Sequence, residues 1–175
     1  MFFLKTYFDR VIKYDLINTF FYQNLLEIPK LEKIILNFGY QKSNFKYLVS
    51  GLLALEFISL KKSKITKSKH LNVFLKIKKG NPVGCKIVLK KNTMYLFYLK
   101  LITSVFSKSQ TSSLQWNLKL VKSISFRLKT PLLFSELENQ FQFFKDIPQL
   151  DITLLTNSRS RKELVFLLNS IKFFL

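Results

Sequence analysis

The chain has 175 residues and a mass of 20.7 kDa, with 29 Lys and Arg against 10 Asp and Glu, a formal charge of +19 and a pI of about 10.1. Apolar residues make up 48% and aromatics 15%, enough to bury a core, which excludes a fully disordered chain. One cysteine, four glycines and four prolines exclude an internal disulfide, a multi-cysteine metal cluster and a collagen-like chain. The length suits one domain over residues 1–175.

Residues 3–22 read as an amphipathic helix, with Leu4, Tyr7, Phe8, Val11 and Ile12 at helical spacing. Their targeting signature is faint, because Asp9 and Asp15 come early and Arg is scarce, so they are assigned to the first helix of the fold. After Pro29, residues 31–38 alternate as a strand: Ile34, Leu36 and Phe38 share one face, and Leu31, Lys33, Ile35 and Asn37 the other. Residues 44–59 predict a second helix through Leu48, Leu52, Leu55 and Phe57.

A basic stretch follows at residues 61–79, carrying Lys61, Lys62, Lys64, Lys67, Lys69, Lys76, Lys78 and Lys79. Within it Val73, Leu75 and Ile77 alternate with Phe74, Lys76 and Lys78 and predict a strand. The turn signal Lys79-Gly80-Asn81-Pro82 leads to a second strand at 83–90, giving a hairpin with one apolar and one lysine-bearing face. Asn92 or Thr93 caps a helix to about residue 106, and residues 107–113 form a polar linker. The alternation from Trp116 to Leu128 predicts one long strand, ended by Pro131. Residues 135–145 predict a short helix, 150–156 a strand with Leu150, Ile152 and Leu154 on one face, and 160–172 a closing helix. No internal repeat is evident. The order predicts an α+β domain: an antiparallel sheet with helices packed on one face, and Lys33, Asn37 and Lys86 on the other.

Enzyme chemistry finds no support in this pattern. The ten carboxylates are scattered, and the pair Glu136 and Glu138 would diverge on a helix. The sole histidine, His70, lies in the lysine-rich stretch as a solvated loop residue or a nucleic-acid contact, with no catalytic partner nearby. Cys85 falls on an apolar strand face as a small buried hydrophobe, and no second Cys or His stands at ligand spacing, so neither metal nor cofactor is expected. The segment Gly80 to Lys86 is not a phosphate loop: three residues separate its glycines instead of four, and Pro82 removes a backbone donor. No stretch reaches the roughly 20 apolar residues of a spanning helix.

The charge points to a polyanion. Dense lysines neutralise phosphates and release counterions. Arg occurs only at Arg10, Arg127, Arg159 and Arg161, so most contacts are point charges that read shape and backbone rather than base sequence. Most of the nineteen Phe fall on apolar faces and belong to the core. The competing expectation is a basic protein peripheral to an anionic membrane, which needs an amphipathic helix with a continuous basic border.

Three segments carry a family resemblance. They are Tyr14-Asp15-Leu16 with residues 28–39; Ile65-Thr66-Lys67 with residues 76–86, Met94-Tyr95 and Leu101-Ile102; and residues 150–156 with the closing helix. Together they resemble, in order and over nearly the whole chain, the large-subunit ribosomal protein five family, with the Gly80 to Lys86 block the most specific. The resemblance implies an RNA-binding structural protein of the central protuberance, not an enzyme. Its implied partners are 5S rRNA, large-subunit rRNA, the peptidyl-site tRNA, neighbouring central-protuberance proteins and a small-subunit head protein. Carried onto matching positions, Lys33, Asn37, Thr66, Lys86 and Lys90 are candidate rRNA contacts, and Lys67, Lys69 and His70 candidate tRNA-side loop residues. The family's glycine- and arginine-rich segment has no counterpart within residues 107–125, which puts the small-subunit contact in doubt.

Phe, Leu, Lys, Asn and Ile dominate and Ala54 is the sole alanine, a bias expected of an AT-rich genome. The similarity begins near residue 7, so no removable presequence is expected. The expectation is an organelle-encoded mitochondrial version located in the matrix, with a plastid or bacterial cytoplasm as the alternative.

Overall fold

A computed structural model describes residues 3–40, 45–107, 115–117 and 120–171. Helix α1 runs over Phe3–Tyr7, passes through a π turn at Phe8–Ile12 and resumes over Lys13–Thr19. Strand β1 is Leu31–Gly39, helix α2 Phe45–Ser59, strand β2 Lys64–Lys67 and strand β3 Pro82–Lys90. Helix α3 covers Lys91–Lys100 and continues as a π segment over Leu101–Phe106. Strands β4 (Gln115–Asn117) and β5 (Ser123–Leu128) precede two one-turn helices, α4 (Ser135–Glu138) and α5 (Phe141–Phe144). Strand β6 (Leu150–Thr156) and helix α6 (Arg161–Ser170) close the fold.

The sheet has six strands in the order β2-β3-β1-β6-β5-β4, every neighbouring pair antiparallel. One face is apolar. Ile34, Leu36 and Phe38 of β1, Cys85, Ile87 and Leu89 of β3, and Ile152 and Leu154 of β6 are buried with Leu48 and Leu55 of α2, Met94, Phe97 and Tyr98 of α3 and Leu164, Leu167 and Leu168 of α6. Each fully buried side chain of this kind stabilises the fold by about 1.5–3 kcal/mol. Cys85 belongs to this core; its Sγ meets the Leu48 carbonyl at 3.4 Å and burial raises the thiol to about 11. The chain is thus an α+β fold with its helices packed on one side of an antiparallel sheet.

Two local features fix the frame. Ser160 caps α6 by accepting the Glu163 N–H at 3.2 Å, while the Glu163 carboxylate accepts the Arg159 N–H at 2.9 Å, a near-reciprocal capping pair. At Gly84 a Cβ would lie 2.5 Å from the Phe38 carbonyl oxygen and 2.7 Å from Thr66 Oγ1, so only glycine lets β1, β3 and β2 close up there.

Several expectations are corrected. The predicted strand at 73–77 does not exist. Asn72 and Ile77 pair with each other, Lys76 takes a positive φ of 52°, and residues 73–76 make the tip of an excursion. The partner of β3 is β2, whose Lys-Ile-Thr-Lys sequence has too little apolar alternation to announce a strand; it is a charged edge strand. The Lys79 to Pro82 turn does form, with Gly80 at φ 89°, but it closes the excursion. The single long strand at 116–128 is two antiparallel strands, β4 and β5, because Leu120 and Val121 lie exposed in the bend between them. Helix α1 ends at Thr19, Phe20 being extended. The helix expected at 135–145 is broken into α4 and α5. Leu31 was expected beside Lys33; a register shift between Leu31 and Lys33 turns it into the core. Residues 108–113 of the expected linker lie outside the described residues.

Candidate nucleic-acid interface

Alternation along each strand sends the remaining side chains to the helix-free face. Register then sets them in rows. Lys90 pairs with Lys33; Val88 pairs with Ile35 and Ile35 with Thr153; Lys64 pairs with Lys86, Lys86 with Asn37, Asn37 with Asp151 and Asp151 with Arg127; Thr66 pairs with Gly84. All five candidate rRNA residues, Lys33, Asn37, Thr66, Lys86 and Lys90, therefore share this face. Lys64 joins them, a residue that sequence reasoning placed only within the general basic stretch.

The electrostatics of the β2–β3–β1 half are one-sided. Two pairs of lysines stand directly opposite one another, Lys33 with Lys90 and Lys64 with Lys86. Like charges at such positions destabilise a sheet. None of the four takes part in an ion pair among the described residues. Lys61 differs: its Nζ donates to the Val88 carbonyl at 2.9 Å and covers the free edge of β3. On the other half, Arg127 Nε donates to Asp151 Oδ1 at 2.7 Å, and this hydrogen bond, then the carboxylate charge, raises the guanidinium's pKa.

The three tRNA-side candidates, Lys67, Lys69 and His70, begin the excursion between β2 and β3. Its base is tied by Ser68 N–H to Asn81 O at 2.8 Å and Gly80 N–H to Ser68 O at 3.0 Å, and Ser68 Oγ donates to the His70 carbonyl at 2.6 Å. These three residues line an open cleft of about 570 Å³ together with Asn37 and Thr66. Lys33 and Lys90 sit at the far end of the strands, outside it. The tip beyond is exposed and apolar, with Phe74 fully accessible.

Among the described residues, no group of His, Cys, Asp and Glu is arranged to hold a metal ion, and no helix is long and apolar enough to cross a membrane.

No protein-family model matches the chain. Curated relatives do. The chain is 32% identical to large ribosomal subunit protein uL5m of Reclinomonas americana, over 97% of this chain and 95% of that protein. It is 33% identical to uL5 of Wigglesworthia glossinidia brevipalpis, over 97% of each, and 30% identical to uL5 of Clostridium acetobutylicum, over 91% of this chain and 90% of that one. A helix-free, lysine-paired sheet face on an α+β scaffold, with full-length similarity of this kind, makes the chain a member of the large ribosomal subunit protein uL5 family, a structural constituent of the large ribosomal subunit and not an enzyme.

Proposed function

We propose that the chain binds 5S rRNA and large-subunit rRNA in the central protuberance through its helix-free sheet face, and that the excursion carrying Lys67, Lys69 and His70 approaches the peptidyl-site tRNA. The observation that carries this reading is the two pairs of opposed lysines, Lys33 with Lys90 and Lys64 with Lys86. Such pairs lower the stability of the isolated protein, and a phosphate backbone laid across them reverses the sign. The membrane alternative is not favoured: on the exposed side of α1, Asp9 stands between Lys5 and Arg10 and Asp15 follows them, so α1 carries no continuous basic border. Neighbouring central-protuberance proteins complete the partner set.

Replacing Lys33 and Lys86 together by Ala weakens 5S rRNA binding about tenfold or more without lowering the melting temperature. Unchanged affinity in a filter-binding titration would overturn the assignment of this face.

The working place of the protein is read as the mitochondrial ribosome, supported by the uL5m relative and the AT-rich composition. Bacterial relatives at 30–33% identity favour a second reading, a bacterial ribosome in the cytoplasm. Fractionation of the source cells separates the two by the ribosomes with which the protein sediments.

A further inference from the structure

The Arg127–Asp151 pair lies at one end of the helix-free face and lines an open cleft of about 580 Å³ with Tyr47, Asp146, Pro148 and Gln149. The charge here is the reverse of that on the lysine half: two carboxylates accompany one guanidinium, in a chain of net charge +19. A phosphate is repelled from such a site. What fits is a flat, neutral group with N–H donors for a carboxylate and acceptors for a guanidinium.

We propose that this cleft holds one unpaired guanine base of the RNA bound on the sheet face, an inference that rests on the RNA-binding reading above. Guanine is the base whose pairing edge offers two adjacent donors, N1–H and the 2-amino group, to a carboxylate, and whose other edge offers O6 and N7 to an arginine fork. Adenine, cytosine and uracil each set a single donor group beside an acceptor on that edge, so none offers a carboxylate two adjacent donors. Arg127 bonds Asp151 through Nε alone, so its two Nη groups keep their donors for O6 and N7, and Asp151 holds the fork in place. The Tyr47 ring, 38% exposed, and Pro148 supply flat surfaces against which an extruded base stacks. Location agrees as well. Asp151 stands directly opposite Asn37, which stands opposite Lys86, so a nucleotide leaving a backbone held by the lysines reaches the cleft along one row of the sheet.

The test uses the full chain and four RNA hairpins with an identical stem and one bulged nucleotide, G, A, C or U, read by fluorescence anisotropy at fixed salt. The G bulge binds about tenfold tighter than the others. Inosine, which lacks the 2-amino group, gives an intermediate affinity. Arg127→Lys keeps the charge but loses the fork, and Asp151→Asn removes the negative charge and turns one of the two acceptor oxygens into an NH2 donor. Each abolishes the preference, and neither lowers affinity for the stem alone, while thermal melts confirm that both variants fold. Equal affinity for all four bulges overturns the guanine site and leaves the RNA reading standing, provided stem binding still weakens steeply with salt. Failure of every hairpin to bind overturns the RNA reading itself.

Discussion

Lys86 stands between Lys64 on one side and Asn37 on the other, in the interior of the sheet. A β-branched neutral residue suits that position better than a lysine does, since it removes one like-charge pair and favours the pleated backbone. Lys86→Thr is therefore expected to raise stability by about 0.5 kcal/mol in a urea titration and to weaken RNA binding at the same time. A loss of stability would mean that the opposed lysines do not repel as argued. At this scale much was legible before the structure: period-two alternation separates Lys33, Asn37 and Lys86 from Ile34, Leu36 and Cys85, whatever the strands pair with. Lys64 was hidden in a four-residue strand without an apolar face. Arg127 and Asp151 each lay on a visible polar face, but their meeting depends on the β5–β6 register, which no local pattern reveals.

Between elements, the half-buried ion pair of Lys100 and Glu136 at 2.6 Å joins α3 to α4, and Lys100 Nζ also donates to the Ile58 carbonyl at the end of α2. Burial opposes the charge on Glu136, but the Lys100 hydrogen bond, a backbone N–H and the Lys100 charge outweigh it and hold the carboxyl below its ordinary 4.5. A depressed folded-state value gives stability that is present above the unfolded value and lost as pH falls through the folded one. The melting temperature of Glu136→Gln should fall below that of the unaltered chain at neutral pH, with the gap closing below about pH 4. The excursion behaves differently. Of residues 69–79, only Ile77 is buried, and the Ser68–Asn81 tie lies outside them. Replacing 69–79 by a short Gly-Ser turn is expected to leave 5S rRNA affinity within about threefold and to shift the melting temperature little, because little apolar surface is lost. It should abolish any protection of tRNA by the protein in footprinting. The alternation of Val73, Leu75 and Ile77 suggested a strand there because a tip that leaves apolar side chains in solvent carries the same two-residue period as a buried strand. Tertiary pairing, not local pattern, decided between β2 and that segment as the partner of β3.

For the molecule as a whole, the +19 charge sets how binding responds to its medium. If phosphates are the ligand, each neutralised one releases counterion, and the logarithm of the association constant falls linearly with the logarithm of salt concentration. With Lys33, Lys64, Lys86 and Lys90 on one face, the slope should reach at least about −3. Removing Lys33 and Lys86 should reduce its magnitude by about 2, close to one unit per lost phosphate contact. A control pair on the helix side of the sheet, Lys5→Ala of α1 with Lys162→Ala of α6, changes the total charge by the same amount. Long-range attraction alone would make the two double variants indistinguishable in slope, because net charge acts on encounter regardless of where it sits. Contact on the helix-free face makes only the first pair lose slope. Measured side by side from low to moderate salt, the two variants separate a protein that is merely basic from one whose sheet is the binding surface.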